Sequence, residues 1–344
     1  MTDGRSSGSD IFLAVKSIVW MSERLSRALL TVIPAGSTVV SSLREFRAAR
    51  RDDKTVSFVD DSTLAELGTQ APPPGPVVAI CDHPLQTAVG WLPSHTWLSH
   101  VVSATMLKHP MAAEHLGNVM TTVTSGKGPR LLDWLGPTMA GRRVRLARAS
   151  RRVDRLERMT TFFDAKGVGS RTIQLLRDAA EELLTNAFYD APVAAGALDQ
   201  PISRTQDVSL SDDSACDMVY GCREDLAIVR VRDPFGSLSR TRLVEVLTRC
   251  ARTDMRVEVD ETMGGAGLGL WRIFSAASFV AIAVVNNRHT EFLVGIGKRV
   301  AAAPRPFAFH LFFKDHGRAV RRWRLLDADS SKPTVSKSVT IVMK

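Results

Sequence analysis

Residues Arg171–Tyr189 read RTIQLLRDAAEELLTNAFY. Ile173, Leu176, Ala180, Leu183, Leu184 and Ala187 recur at intervals of three and four, which makes one apolar face of a helix. Glu182 and Asn186 stand four apart, so they project from one side of it, one turn apart. An Asn amide oxygen can complete an octahedral Mg²⁺ whose other ligands are phosphates and waters. A carboxylate one turn earlier can orient and deprotonate a water beside a terminal phosphate. Glu and Asn on a helix are more often solvated surface, so the neighbouring segments decide between the two readings.

Two further segments lie downstream. Leu226–Arg232 alternates as a strand and runs into Asp233-Pro-Phe-Gly236. An acceptor-only carboxylate at a strand end can take the exocyclic amine of adenine, and a glycine lets backbone approach the base. Such a turn is also common without any ligand. Then come Gly264, Gly265, Gly267 and Gly269, with Leu270 and the helical stretch Trp271–Ala277 behind them. Glycines before a helix N-terminus present N–H groups to phosphate, and the helix dipole favours the anion. A dinucleotide-binding loop fits the bare glycine pattern, but it belongs after a strand early in a βαβ unit. Here the preceding Thr253–Met263 is polar and lid-like. The apolar runs Phe279–Val285 and Thr290–Gly295, separated by Asn-Asn-Arg-His, predict an antiparallel hairpin.

In this order the three segments resemble the N, G1 and G2 boxes of the GHKL ATPase family, which takes in gyrase, a class of heat-shock chaperones and the histidine kinases. The resemblance covers roughly 171–315 and implies a C-terminal α/β two-layer sandwich with ATP and Mg²⁺ as cofactors. It implies Glu182 as general base and Asn186 as the Mg²⁺ ligand, through the nucleotide phosphates. It also implies Asp233, with Gly236, as the adenine partner, and Gly265, Gly267, Gly269 and Leu270 around the phosphates. The family's G1 box has glycines two and four residues after the Asp; this chain has Phe235 and Ser237 there, with Gly236 between. The lid, Ser239–Met263, is short, which favours the kinase-like branch, and within it the anti-sigma-factor kinases.

The first 125 residues alternate short strands with helical patterns: Ile11–Val15, Ser37–Ser41, Thr55–Val59, Pro76–Ile80 and His100–Ala104 as strands, with helices at Ser22–Ile33, Leu43–Arg51, Ser62–Leu67, Leu85–Leu92 and Met111–Val123. This alternation predicts an α/β fold with a doubly wound parallel sheet. Its element order resembles a response-regulator receiver over 1–124, with another small doubly wound domain as the alternative. A receiver needs two acids after its first strand to hold Mg²⁺. On the strand reading Ile11–Val15, Lys16 and Ser17 stand there instead. Asp60 or Asp61 falls where the phosphoacceptor would be, so the resemblance is to a pseudo-receiver.

The chain has 344 residues, and its formal charge of +9 is concentrated. Ten Lys/Arg and three Asp/Glu fall between Lys127 and Arg158. Leu146, Ala149, Val153, Leu156 and Phe163 have the spacing of a coiled-coil seam with arginines outside. Residues 125–170 are therefore expected as a basic linker helix. It would join two chains through residues 142–165 as a homodimer, or pack on its own chain as an ordinary amphipathic helix. Residues 316–344 form a C-terminal extension without an assigned role. No helix-turn-helix pattern accompanies the arginines, so nucleic acid is not the expected partner. Cys81, Cys216, Cys222 and Cys250 form no CxxC pair, and free thiols are expected rather than zinc ligands. No apolar run is long enough to span a bilayer, and a cytoplasmic location is expected.

An orthodox histidine kinase needs a phosphoacceptor His just before the ATP domain. The histidines are at 83, 95, 100, 109, 115, 289, 310 and 316, and none lies between 116 and 288. The expectation is an ATP-binding bacterial signalling regulator of a partner protein, acting as a slow ATPase or an anti-sigma-type serine kinase. The alternatives are a catalytically inactive nucleotide-binding scaffold and an atypical histidine kinase.

Overall fold

The computed structural model describes residues 15–49, 54–69, 73–125, 129–136, 139–198, 200–211, 214–223, 225–252, 266–299, 305–314, 324–325 and 340–343. The chain divides into two compact units. The first takes residues 1–130 and 304–310, the second 131–303 and 311–344.

In the first unit β1 (Lys16–Trp20), α1 (Glu23–Leu30), β2 (Ser37–Val39), α2 (Leu43–Ala48), β3 (Thr55–Asp60), α3 (Asp61–Leu67), β4 (Val77–Cys81), α4 (Leu85–Gly90), β5 (His100–Ser103) and α5 (Ala112–Thr124) occur in turn. The strands lie in the order β2-β1-β3-β4-β5, all parallel. Residues 308–310 add antiparallel to β5. Strands β3, β4 and β5 are buried at every position, as the near-continuous apolar runs of a parallel sheet require.

Two expectations change here. The first strand is Lys16–Trp20 rather than Ile11–Val15, and residues 11–14 lie outside the described residues. The buried run Ile18-Val19-Trp20 forms the strand, and Lys16 is its exposed first residue. Lys16 pairs with Thr55, at the opposite end of the sheet from Asp60. After β1 come Met21, Ser22, Glu23 and Arg24. Helix α3 begins at Asp61, one residue before the expected Ser62, and Asp60 caps it: Asp60 accepts from the Thr63 amide, and the Thr63 side chain accepts from the Asp60 amide.

The second unit holds β6 (Ala140–Leu146), α6 (Arg152–Ala165), α7 (Ser170–Thr185), a π-helical turn at Asn186–Asp190, α8 (Ala191–Ala194), β7 (Val208–Leu210), β8 (Cys216–Arg223), β9 (Leu226–Asp233), α9 (Arg240–Arg252), α10 (Ala266–Ala276), β10 (Phe279–Val285) and β11 (His289–Gly297). β12 (Ala308–Lys314) begins with the three residues that pair with β5. β13 (Arg324–Leu325), β14 (Thr340–Met343) and β7 form a small sheet. Strands β10-β11-β9-β8-β6 run antiparallel in that order, and the expected hairpin is β10–β11.

Alternation sorts the faces of this sheet. Tyr220 lies opposite Val229, and its ring packs on Phe162 and Phe163 of α6, at 5.3 and 5.9 Å between centroids. The face carrying Val229, Val231 and Asp233 is therefore the one under α6 and α7, which pack on each other. The other face holds an ion chain that is buried at Arg230, Asp217 and Glu291. Arg230 Nη1 donates to Asp217 Oδ2 at 2.7 Å, its Nε pairs with Glu291, and Arg143 Nε donates to Asp217 Oδ1 at 2.7 Å. Burial raises the Asp217 carboxyl, but the hydrogen bonds from Arg143 and Arg230 outweigh it and hold the group below its ordinary range.

The expected helix over 142–165 begins as a strand. Arg142, Arg143, Val144 and Arg145 belong to β6, Leu146 ends it, and Ala149 sits in a 3₁₀ turn. Only Arg152–Ala165 is helical. The apparent seam is a coincidence of spacing across a strand and a helix. Leu156, Met159 and Phe163 are buried within their own chain, while Val153 is 55% exposed. The first part of the expected lid is also ordered: Arg240–Arg252 is α9, with Leu243, Val244, Val246 and Leu247 buried. Residues 253–263 lie outside the described residues.

Candidate functional site

Helix α7 turns the spacing of its sequence into a stripe. Leu176, Ala180, Leu183 and Leu184 are buried, and Glu182 and Asn186 stand half-buried beside them. Asn186 Nδ2 donates to Glu182 Oε1 at 3.4 Å. The Asn186 Oδ1 is enclosed and has no hydrogen-bond partner among the described residues. A buried acceptor of this kind is costly unless something fills its place. At Asn186 the helix widens into the π turn, closed by the Ala191 amide donating to the Asn186 carbonyl. Such turns recur at functional sites.

Burial raises the Glu182 carboxyl above its ordinary range, against the guanidinium of Arg204, the Asn186 hydrogen bond and Arg272. Burial thus raises the affinity of this carboxylate for a proton, while the two guanidinium groups act against it. Asp190, the next residue along the stripe, is paired with Arg204 at 3.4 Å and is likewise raised by burial. Sequence reasoning missed Arg204, which is distant in sequence. Asp190 had a signal, the continued spacing of four from Glu182 and Asn186.

Helix α10 begins at Ala266, so Gly267 and Gly269 lie in its first turn rather than in a loop ahead of it. Gly265 lies outside the described residues. A side chain at Gly269 would collide with the Glu182 carboxyl, and one at Gly267 would meet the Arg249 Nη2 at 2.7 Å. The two glycines thus let α10 approach α7 and α9, and they bring its first turn against Glu182. Leu270 is buried.

Asp233 ends β9, 8% exposed. Its Oδ1 accepts from the amides of Phe235 at 2.8 Å and Gly236 at 3.3 Å. Burial pushes its carboxyl up to about 6, against those bonds and others from Thr290. Thr290 is its cross-strand partner on β11, a contact no local pattern could reveal. Gly236 has φ +64°, where side chains are rare, and a Cβ there would meet the backbone of the β10–β11 turn at His289 and Arg288, at 2.7 and 2.8 Å. The Asn287 amide donates to its carbonyl at 3.3 Å. The close approach that Gly236 permits within the fold is therefore to this turn. Phe235 is fully buried, and Ser237 Oγ donates to the Ala191 carbonyl at 3.1 Å, tying the Asp233 turn to the end of the α7 stripe.

The structure thus brings Glu182, Asn186 and Gly269 together and links the Asp233 turn to the same helix end. The donor set fits a magnesium nucleotide: one orphaned amide oxygen, a glycine-lined helix start and a buried carboxylate at a strand end. Cys81, Cys216 and Cys222 are buried and Cys250 half-buried, all as free thiols. Among the described residues no helix is long and apolar enough to cross a membrane. No protein-family model matches the chain, and a search of curated proteins finds no match to it.

Proposed function

We propose that the second unit binds Mg-ATP in the manner of the GHKL ATPases and that the chain is a nucleotide-gated regulator of a partner protein, nearest in kind to the anti-sigma-factor kinases. The observation that carries the reading is the enclosed, unpartnered Asn186 Oδ1 beside a burial-raised Glu182, with the first turn of α10 against them. Bound Mg²⁺ would neutralise phosphate charge during transfer. Asn186 would hold it through the phosphates, Glu182 would take the proton of the attacking water or hydroxyl, and Asp233 would accept the adenine amine. The first unit's strand order, β2-β1-β3-β4-β5, supports the receiver-like reading of that domain.

Calorimetric titration of the full chain with Mg-ATP and Mg-ADP, repeated with EDTA, tests this reading. Saturable, magnesium-dependent heat is the expected result; no heat and no thermal shift at millimolar nucleotide would end it. A scaffold that binds without turnover is favoured by one observation, the buried Phe235 where the family's first G1 glycine would stand. ATP consumption present in the wild type and lost in Glu182→Ala would decide against the scaffold.

A further inference from the structure

Strand β6 carries three of the arginines of the basic segment. It is the outermost strand of its sheet among the described residues, with β8 on its inner side. Residues Ala140, Gly141, Arg142, Arg143 and Arg145 are exposed. Arg142 lies opposite Tyr220 on the α6 face, and Arg155 and Arg158 of α6 act on the same Tyr220 hydroxyl. Arg143 and Arg145 project from the other face, where Arg143 is still 62% exposed beyond its bond to Asp217. Positive charge therefore flanks the edge on both sides of the sheet. Asp154 pairs with Arg158 at 3.0 Å and Arg155 at 3.7 Å on the α6 face, and Asp217 pairs with Arg143 on the other.

We propose that β6 is a docking edge for an extended acidic segment of a partner protein, which adds to the sheet as a further strand. An added strand would satisfy the backbone groups at the edge, while its side chains, alternating between faces, would meet arginine on each. A nucleic-acid duplex would offer phosphates to these arginines but no extended peptide backbone to continue the sheet ladder at the edge. A second copy of this chain would bring like charge to like charge, the usual protection of an edge against itself. The inference does not depend on the nucleotide reading, since β6 lies two strands away from β9 and Asp233.

The test uses the full chain without nucleotide. The probes are a fluorescent peptide of repeated Glu-Glu-Val-Thr units, the same peptide with alternate amides N-methylated, its Lys-for-Glu counterpart, and a random-sequence DNA duplex. The acidic peptide should raise fluorescence anisotropy at low salt, weaken as salt rises, and lose affinity by about tenfold or more in Arg142→Glu/Arg145→Glu. N-methylation should abolish binding, and the Lys peptide should not bind. If the double variant fails a circular-dichroism check of folding, Arg142→Gln/Arg145→Gln replaces it, with a smaller loss in the same direction. Any of four results overturns the proposal: no binding of the acidic peptide, equal binding of the N-methylated one, preference for the duplex, or a dimer of the chain that the arginine variants dissociate.

Discussion

The carboxyl group of Glu182 occupies the space where a side chain on Gly269 would begin. One residue belongs to α7 and the other to the first turn of α10, so the missing Cβ at 269 sets where the carboxylate rests. The obstruction is the far end of a flexible side chain, not backbone. Gly269→Ala should therefore leave the fold intact and swing Glu182 away from Asn186. We expect a thermal midpoint close to wild type, Mg-ADP binding weakened, and any ATP turnover lost as completely as in Glu182→Ala. A Gly269→Ala protein with undiminished turnover would show that Glu182 is not the base. Gly236→Ala makes the contrast, because there the collision is with backbone and φ is positive; it should cost about 1–3 kcal/mol or more in stability.

The Asp233 carboxyl, raised to about 6 by burial, must be ionised to accept an amine on both available lone pairs. Nucleotide binding should therefore be flat with pH above about 6 and weaken by about tenfold per pH unit below it. ADP with saturating Mg²⁺ is the suitable probe, titrated calorimetrically across that range. Asp233→Asn keeps an oxygen for the Phe235 and Gly236 amides but removes the charge. Binding should fall by about 1.5–3 kcal/mol and its dependence on acid should vanish. An unchanged pH profile in that variant would remove Asp233 from the site.

A different pH dependence resides in the first unit. His100 on β5, His115 on α5 and His310 are buried together; His115 Nε2 and His310 Nε2 are 2.9 Å apart, and the His100 and His310 rings are 5.5 Å apart. Burial drives all three down, His100 to about 4 and His115 to about 3, with His109 adding to the effect on His115. They are neutral when folded and titrate near 6.5 when unfolded, so the unfolded chain binds more protons between those values. The stability is fully present above about 6.5 and is lost as the pH falls toward 4. Each histidine contributes a slope of up to about 1.4 kcal/mol per pH unit. Hydrogen exchange at β5 amides should accelerate across that window, and His100→Leu should flatten the dependence by one histidine's share. A slope identical in that variant would contradict the assignment.

Legibility tracked the range of the interactions. The α7 stripe could be read because every residue in it is placed by one helix, and strand β9 could be read because alternation is local. The strand β6 was not legible: Leu146, Ala149, Val153 and Leu156 keep helical spacing, and only pairing with β8, seventy or more residues on, makes Arg142–Leu146 extended. The same holds for Thr290 beside Asp233 and Arg204 beside Asp190, which meet across the sheet and a loop. At α10 the glycines suggested a loop, because their low helix propensity hides that close packing on α7 and α9 favours them inside the first turn.

Aspartyl phosphorylation of the first unit should not occur, and Asp60 itself supplies the reason. Its carboxylate is 2% exposed and fully engaged: Oδ2 accepts from the Ser22 amide at 2.7 Å, and Oδ1 accepts from Ser62 Oγ at 2.8 Å and the Thr63 amide at 3.1 Å. Burial raises this carboxyl, yet those bonds hold it below its ordinary range. Transfer of a phosphoryl group to Asp60 would break several charge-assisted hydrogen bonds at about 1.5–3 kcal/mol each and uncap α3. Phosphoryl transfer also needs a cation to neutralise the phosphoryl oxygens. Lys16 does not stand in for it, since it is level with Thr55, about 16 Å of strand away from Asp60. Of the acids near the strand ends, Glu23 pairs with Arg27, Asp82 with Arg24, and Asp61 Oδ2 lies 3.1 Å from His83 Nε2. Incubation of the full chain with acetyl phosphate and Mg²⁺, then intact-mass measurement, should show no added phosphate. A phosphate mapped to Asp60 or Asp61 would mean that the Ser22 and Thr63 bonds open readily and that the domain is a working receiver.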